Sequence, residues 1–423
     1  MLGPPPGLTE LNVACWTLFI SFLLVPLGVV QWAHSRHEAH PIRQLNSDFV
    51  YVYGVGWIAR TYSPALIYDL ELQQQVFHSI EPPRDGIYGP SPYPPFVALF
   101  FAPLTYLSFE SAYLVWLGIS LGLYVTGIGA AAIAVFPRDR SSRSLTYCFA
   151  LAFYPFLFGT LLNGQLASIA AGAVGVAMYQ ENRGRWFWSG LALSLLCYKP
   201  TLLVLLVPML LLTRRFKTAL GFVAGAGILV VGTTLVAGTH IWALYADMLR
   251  HFGSVTGAGG SSRLQLWKYL DLTSCFAAIS GNKSANAMSI LGAVMIVIEI
   301  ALAALLWRSA DAGRAAQWLA WAATFTSTLL LNVYVPIYDS VLVVIAIILT
   351  IGALREMAWE RARSWVALTA VLILVFSWKT ETIAHEHGIQ LLTVLLLALG
   401  ALQWILLGRV IGMNRRAAKG CNL

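Results

Sequence analysis

A chain of 423 residues of which 58% are hydrophobic and 11% charged, with a mean hydropathy of +0.71, does not have the composition of a soluble domain, which carries roughly 25% charge. It reads as a polytopic membrane protein. The formal net charge of +8 does not point to nucleic acid, because the basic residues are spread over separate loops rather than gathered on one face.

Apolar stretches recur at residues 11–32, 112–136, 145–162, 166–179, 186–198, 201–212, 219–237, 288–307, 318–331, 341–354, 365–377 and 391–411. Most approach the roughly 17–25 residues that cross a bilayer as helix. Helices alone satisfy so many backbone groups in hydrocarbon here, since a barrel would show ten-residue alternation. The expected fold is therefore an all-α bundle of about 12 transmembrane helices (11–13). Stretch 11–32 lacks a basic n-region and a small-residue cleavage site, so it is expected to stay as a first helix rather than be removed as a signal peptide. Stretch 94–107, opened by Pro94 and Pro95 where a missing N–H costs little, is expected to be short and re-entrant or tilted. The alternative is that it crosses and another short segment does not.

Basic residues assign the sides. Arg138, Arg140 and Arg143; Arg183 and Arg185; Arg214, Arg215 and Lys217; Arg308 and Arg314; Arg355, Arg361 and Arg363; and Arg409, Arg415, Arg416 and Lys419 fall in every second connection or at the C-terminus. The positive-inside rule makes those connections cytoplasmic. Both termini are then cytoplasmic, with residues 33–92 forming a first outer loop and 238–266 a second outer segment. No repeat or boundary divides the chain, so residues 1–423 are expected to form one membrane domain. Cys15, Cys148, Cys197 and Cys275 lie in or beside apolar stretches and no C-x-x-C pair occurs, which suits packing rather than metal or redox work.

The polar residues worth weighing gather at outer junctions. Asp48 follows the first span; it is either a functional carboxylate or, with Asn46 and Ser47, an N-cap. The aromatic run 49–58 after it is expected to lie amphipathically at the membrane surface. The run Tyr88 to Pro95, with Tyr93, gives the next helix a rigid aromatic start. Asn163-Gly164-Gln165 puts two amides at a flexible joint, suited to hydroxyl recognition or to simple capping. Segments 186–198 and 201–212 are each about 20 Å long at 1.5 Å per residue, against a hydrocarbon core of about 30 Å. Their joint, Lys199-Pro200, should therefore sit below the outer surface, where an ammonium needs water or an anion. Arg263 and Lys268 flank the glycine-rich run 257–262, whose amides suit an anion. His240 and His251 lack metal-ligand spacing. Tyr338 and Asp339 form a further polar junction with Asn332 and Tyr334.

Taken together, the acidic residue after the first helix, the Tyr93-Pro94-Pro95 start, the Asn163-Gly164-Gln165 turn, the Arg183-Gly184-Arg185 loop and the run from Gly190 to Pro200 resemble glycosyltransferase family 87 of the GT-C superfamily. The resemblance is clear over about residues 46–217 and looser beyond, where the Tyr338-Asp339 region is similar. It implies a GT-C helical bundle in a bacterial cytoplasmic membrane, with its active site facing the periplasm or exterior. It further implies transfer of a hexose, mannose in members described so far, from a polyprenyl-phosphate donor to a glycolipid or glycan acceptor, with inversion.

In that pattern Asp48 is the general base. Lys199, by depth and by motif, and Arg263 and Lys268, which flank the glycine-rich run, are the residues expected to bind the donor phosphate, placing positive charge where negative charge develops. Tyr93, Asn163, Gln165, Tyr338 and Asp339 contact sugar or acceptor. No paired acids stand beside Asp48 in sequence, so no metal and no cofactor is expected. The rival reading is a transporter or lipid-linked sugar flippase using Glu299, a carboxylate in the middle of an apolar stretch; the missing repeat weighs against it.

Overall fold

The computed structural model describes residues 19, 23, 48–81, 89–256, 265–280 and 285–420. The expected first helix at 11–32 falls almost wholly outside them, as do the glycine-rich run 257–262 and Arg263. Among the described residues every regular element is helical, and one isolated β-bridge joins Tyr269 to Pro336.

Three short helices open the fold: α1 Phe49–Thr61, α2 Leu70–Ile80 and α3 Pro95–Phe101, the last prolonged by a 3-10 turn Ala102–Tyr106. The unit Pro95–Tyr106 is 12 residues long, about 18 Å as ideal helix, so it is too short to cross a bilayer. The aromatic run was expected to lie amphipathically on the membrane surface, and the structure packs most of it against protein. In α1, Phe49, Val50, Val52, Tyr53, Val55 and Ile58 are all at most 3% exposed. The reason is glycine: a Cβ on Gly56 would press on the backbone of Phe101, and one on Gly54 would overlap the Phe77 ring. α1 is thereby enclosed by α2 and α3 instead of turning one side to lipid.

The bundle proper follows with α4 Phe109–Val135, α5 Arg140–Ala152, α6 Ala167–Asn182, α7 Trp186–Leu193, α8 Leu206–Leu212, α9 Phe216–Ala237 and α10 His240–Thr256. It closes with α11 Leu272–Ser280, α12 Ala285–Ser309, α13 Gly313–Leu330, α14 Leu342–Glu356, α15 Glu360–Ser377, α16 Thr380–His387 and α17 Leu391–Gly420. Among the described residues, five helices are long and apolar enough to span a membrane, or seven if two bent pairs each count as one span. This is a multi-pass membrane protein, and by that measure the described residues, which leave out the expected first span, hold fewer than twelve spans. α6 has only 16 residues, and the path from α7 to α8 is broken by 3-10 turns on either side of Lys199.

Burial grades across the bundle. The span Ile337–Glu356 is 89% buried along its apolar window, as expected for a helix that is hydrophobic all round, whereas those on α9 and α12 are 22% and 17% buried and turn their apolar sides outward. α4 and α6 approach closely because a Cβ on Gly127 or Gly175 would overlap the facing backbone, the small-residue contact common between membrane helices. Substituting valine at Gly127 or Gly175 should cost about 1–3 kcal/mol through overpacking and lower the thermal unfolding midpoint in detergent. Gly118→Ala, where a Cβ meets nothing within 4 Å, should not lower that midpoint.

Candidate active site

The position of Asp48 is set by its neighbour. Phe49 is fully buried, with its ring centroid 5.5–6.1 Å from those of Tyr53, Phe101, Phe109 and Tyr113. Its Cβ stands 2.6 Å from where a Cβ on Gly164 would be, and Gly164 has a φ of +73°, a conformation costly for any other residue. The turn holding Gly164 ends a π-helical stretch, Pro155–Leu162, of the kind often found at functional sites. α4 anchors it: the Tyr113 hydroxyl donates to the Leu162 carbonyl at 2.8 Å and the Trp116 indole to the Gly164 carbonyl at 3.0 Å.

Gln165 is thereby brought against Asp48. Its Nε2 donates to Asp48 Oδ2 at 2.9 Å, while its Oε1 accepts from the Tyr93 hydroxyl at 2.9 Å. With a carboxylate on one side and a phenol on the other, the amide has one satisfying orientation. Asp48 makes no side-chain cap to α1, so the capping alternative is not realised. Although Asp48 keeps partial exposure, burial pushes its carboxyl above the ordinary carboxylate range, with the Gln165 hydrogen bond and the Lys268 charge opposing.

On the other side of Tyr93, whose surroundings include Asp339, Asp48 and Tyr338, lies an ion pair between Lys199 Nζ and Asp339 Oδ2. The Lys199 side chain is 14% exposed and that of Asp339 1%, and the ammonium lies 4.8 Å from the Tyr338 ring centroid. The expected deep lysine has therefore met its anion within the protein. Asp339 Oδ1 and the Tyr198 hydroxyl are buried without hydrogen-bond partners among the described residues, two polar atoms that a ligand's hydroxyls would satisfy.

Lys268 ends a 3-10 turn, stacks 4.9 Å from the Trp267 centroid, and lends its charge to both Asp48 and Glu381. This stretch is moored by Asp271, fully buried, which accepts from the Ser274 and Val335 amides at 2.8 and 2.9 Å. The mooring sets Tyr269 beside Tyr334 and within the electrostatic reach of Asp48.

The fold thus gathers Asp48, Tyr93, Gln165, Lys199, Lys268, Tyr338 and Asp339 into one cluster. Asn163 caps the π-helical stretch without a hydrogen bond to the others, and Arg263 lies outside the described residues. Glu299 sits half-buried on the peripheral α12, apart from the cluster. His251 is exposed, with its Nδ1 2.9 Å from the Asp247 carbonyl; His240 is also exposed.

Sequence reasoning missed four members. Glu381 accepts from the Tyr154 hydroxyl at 3.3 Å; it begins a polar helix just past an apolar span, the same signal that singled out Asp48. Asp271 was legible as a helix cap in Asp271-Leu272-Thr273-Ser274. Tyr198 and Tyr269 carry no local signal, because only the three-dimensional path brings them in.

A model of glycosyltransferase family 87 matches residues 92–336, more than half of the chain. The chain belongs to glycosyltransferase family 87. This family 87 protein is a membrane-embedded glycosyltransferase, and no curated protein or solved structure matches it. Tyr93, Asn163, Gln165, Lys199, Arg263 and Lys268 fall inside the matched segment. Asp48, Tyr338 and Asp339 fall outside it and are joined to it by packing.

In this glycosyltransferase, removing one partner of a buried ion pair leaves an uncompensated charge. Lys199→Met should lower unfolding free energy by about 3–5 kcal/mol, and adding Asp339→Leu should restore most of it, as read by denaturation in detergent. A double variant no more stable than the single one would show that the pair is not what holds this joint.

Proposed function

We propose that this enzyme transfers a hexose, mannose by family resemblance, from a polyprenyl-phosphate donor to a hydroxyl of a glycolipid or glycan acceptor, inverting the anomeric centre, on the outer face of a bacterial cytoplasmic membrane with both termini inside. The observation that carries this reading is the chain Asp48–Gln165–Tyr93, which holds a half-buried carboxylate within the electrostatic reach of Lys268.

Asp48 takes the proton of the acceptor hydroxyl. That oxygen bonds to the anomeric carbon as the bond from carbon to phosphate oxygen breaks, and the lipid phosphate leaves with the electron pair. Lys199 has donors to spare after pairing with Asp339, and with Lys268 and Arg263 it offsets the charge developing on the phosphate. Tyr93, Gln165, Asn163, Tyr338 and Asp339 receive sugar or acceptor hydroxyls, the unpartnered Asp339 Oδ1 and Tyr198 hydroxyl being suited to the same task. The positive charge facing the anionic leaving group comes from lysine and arginine side chains, so the reaction is proposed to run without a metal or cofactor. EDTA treatment should leave transfer unchanged; loss on chelation and recovery with Mn²⁺ would overturn that point. The transport alternative through Glu299 finds no support in the placement of that residue.

With a radiolabelled polyprenyl-phosphate hexose and a lipid extract of the host in proteoliposomes, Asp48→Asn should lower transfer by about 10²–10⁴, whereas Glu299→Gln should transfer normally. Equal transfer by Asp48→Asn and wild type would rule out Asp48 as the base.

A base works only when deprotonated, so the rate should fall as pH drops through the Asp48 pKa, at a pH above the ordinary value of about 3.9. Gln165 and Lys268 hold that pKa down. Gln165→Leu and Lys268→Gln should each move the acid limb of the pH–rate profile to higher pH, and an unmoved limb would assign it to another group.

A further inference from the structure

The end of the bundle opposite Asp48 holds a basic cavity that the transfer chemistry does not use. It has a volume of about 480 Å³ and lies where α8 gives way to α9 against the α12–α13 connection, lined by Arg214, Arg215, Lys217, Thr218, Asp311 and Trp186 among others. Two adjoining clefts share its walls and add Arg308 and Arg314.

Much of the positive charge there is uncommitted. Arg214 pairs with Asp311 at 3.1 Å across an exposed gap, and Arg215 pairs with Glu181, which also accepts from the Trp321 indole. Lys217, Arg308 and Arg314 make no ion pair among the described residues. The Arg215 side chain is 6% exposed, and its Nε and the Thr218 hydroxyl lie buried at the wall without hydrogen-bond partners. The 22-residue α9 starts here with no side-chain cap, so the free amides of its first turn add donors at the positive end of the helix dipole. Arg214 itself holds a φ of +57°, a strained backbone for an arginine.

The rim is apolar. Phe216 and Trp307 are 63% and 52% exposed, and Leu220 and Val223 on α9 continue the exposed strip, each at 63%. A group seated among the arginines would thus carry any attached hydrocarbon along the outward face of α9.

We propose that this cavity binds a phosphate group, and that the apolar strip beside it makes an anionic phospholipid its source rather than free phosphate. The buried Arg215 with its unpartnered Nε, the Thr218 hydroxyl and the exposed Arg214 and Lys217 meet the phosphate oxygens, the exposed strip meets an acyl chain, and the site is independent of the Asp48 reaction.

The full chain in neutral detergent, titrated separately with dioleoyl phosphatidylglycerol, dioleoyl phosphatidylcholine and inorganic phosphate, tests this through its thermal unfolding midpoint and native mass spectrometry. Phosphatidylglycerol should raise the midpoint saturably and remain bound in the mass spectrum, with phosphatidylcholine much weaker. The double substitution Arg214→Gln with Lys217→Gln should weaken half-saturation about thirtyfold, following the roughly 1 kcal/mol each basic residue contributes at an anionic surface. Arg308→Gln serves as a milder second variant should the double one unfold without lipid. A saturable, variant-sensitive response to inorganic phosphate and none to phosphatidylglycerol would keep the phosphate site and overturn the lipid source. Equal responses of wild type and both variants, or equal responses to the two lipids, would overturn the site.

Discussion

The contact between Phe49 and Gly164 is the constraint on which the candidate site depends. Asp48 is carried by a helix whose first buried ring has one place to go, a pocket of aromatic residues closed at the back by a glycine with no side chain and a left-handed backbone. A side chain at Gly164 would separate α1 from the turn and take Gln165 away from Asp48. The hydrogen bond between them is thus a product of hydrophobic packing one residue away. Its orientation is then fixed by Tyr93, itself held through its carbonyl by the Tyr68 hydroxyl at 2.8 Å.

Irregular backbone surrounds this constraint. The π-helical stretch Pro155–Leu162, the 3-10 turns on both sides of Lys199, the bend of 65° between α15 and α16 and the positive φ of Tyr334 all occur at the same end of the bundle. Non-helical backbone in a membrane protein survives where protein encloses it or where it lines a cavity. Each break here also delivers a polar side chain: Gln165, Lys199, Glu381 and the Tyr338–Asp339 pair. At the other end of the same helices, where α6 finishes and α9 begins, arginines and tryptophans form the separate basic cavity. A single set of helices thus offers two chemically different mouths.

What could be read from the sequence depended on how local its cause was. Helical character, the short segments flanking Lys199 and the polar junctions at Gln165 and Asp339 follow from hydropathy, length and turn residues close in the chain, and the structure has each of them. The burial of the helix after Asp48 was not legible because its aromatic character reads the same whether the helix faces lipid or protein; Gly54 and Gly56, which permit the close approach, looked like ordinary small residues. Lys199 was expected to need water or an anion, and it pairs with a carboxylate 140 residues away. No pattern within either segment encodes that match.

The sequence by itself determined that this is an all-helical membrane protein, and the run of motifs from Tyr93 to Lys199 pointed to glycosyltransferase family 87, because apolar runs and helix breaks are properties of consecutive residues. The tertiary structure decided which polar residues meet. It turned Gln165 toward Asp48, matched Lys199 with Asp339, drew in Tyr198, Tyr269 and Glu381, and left Glu299 on the periphery. The physical reason is that a buried polar group must find partners wherever packing puts them, and packing joins residues that the chain keeps far apart.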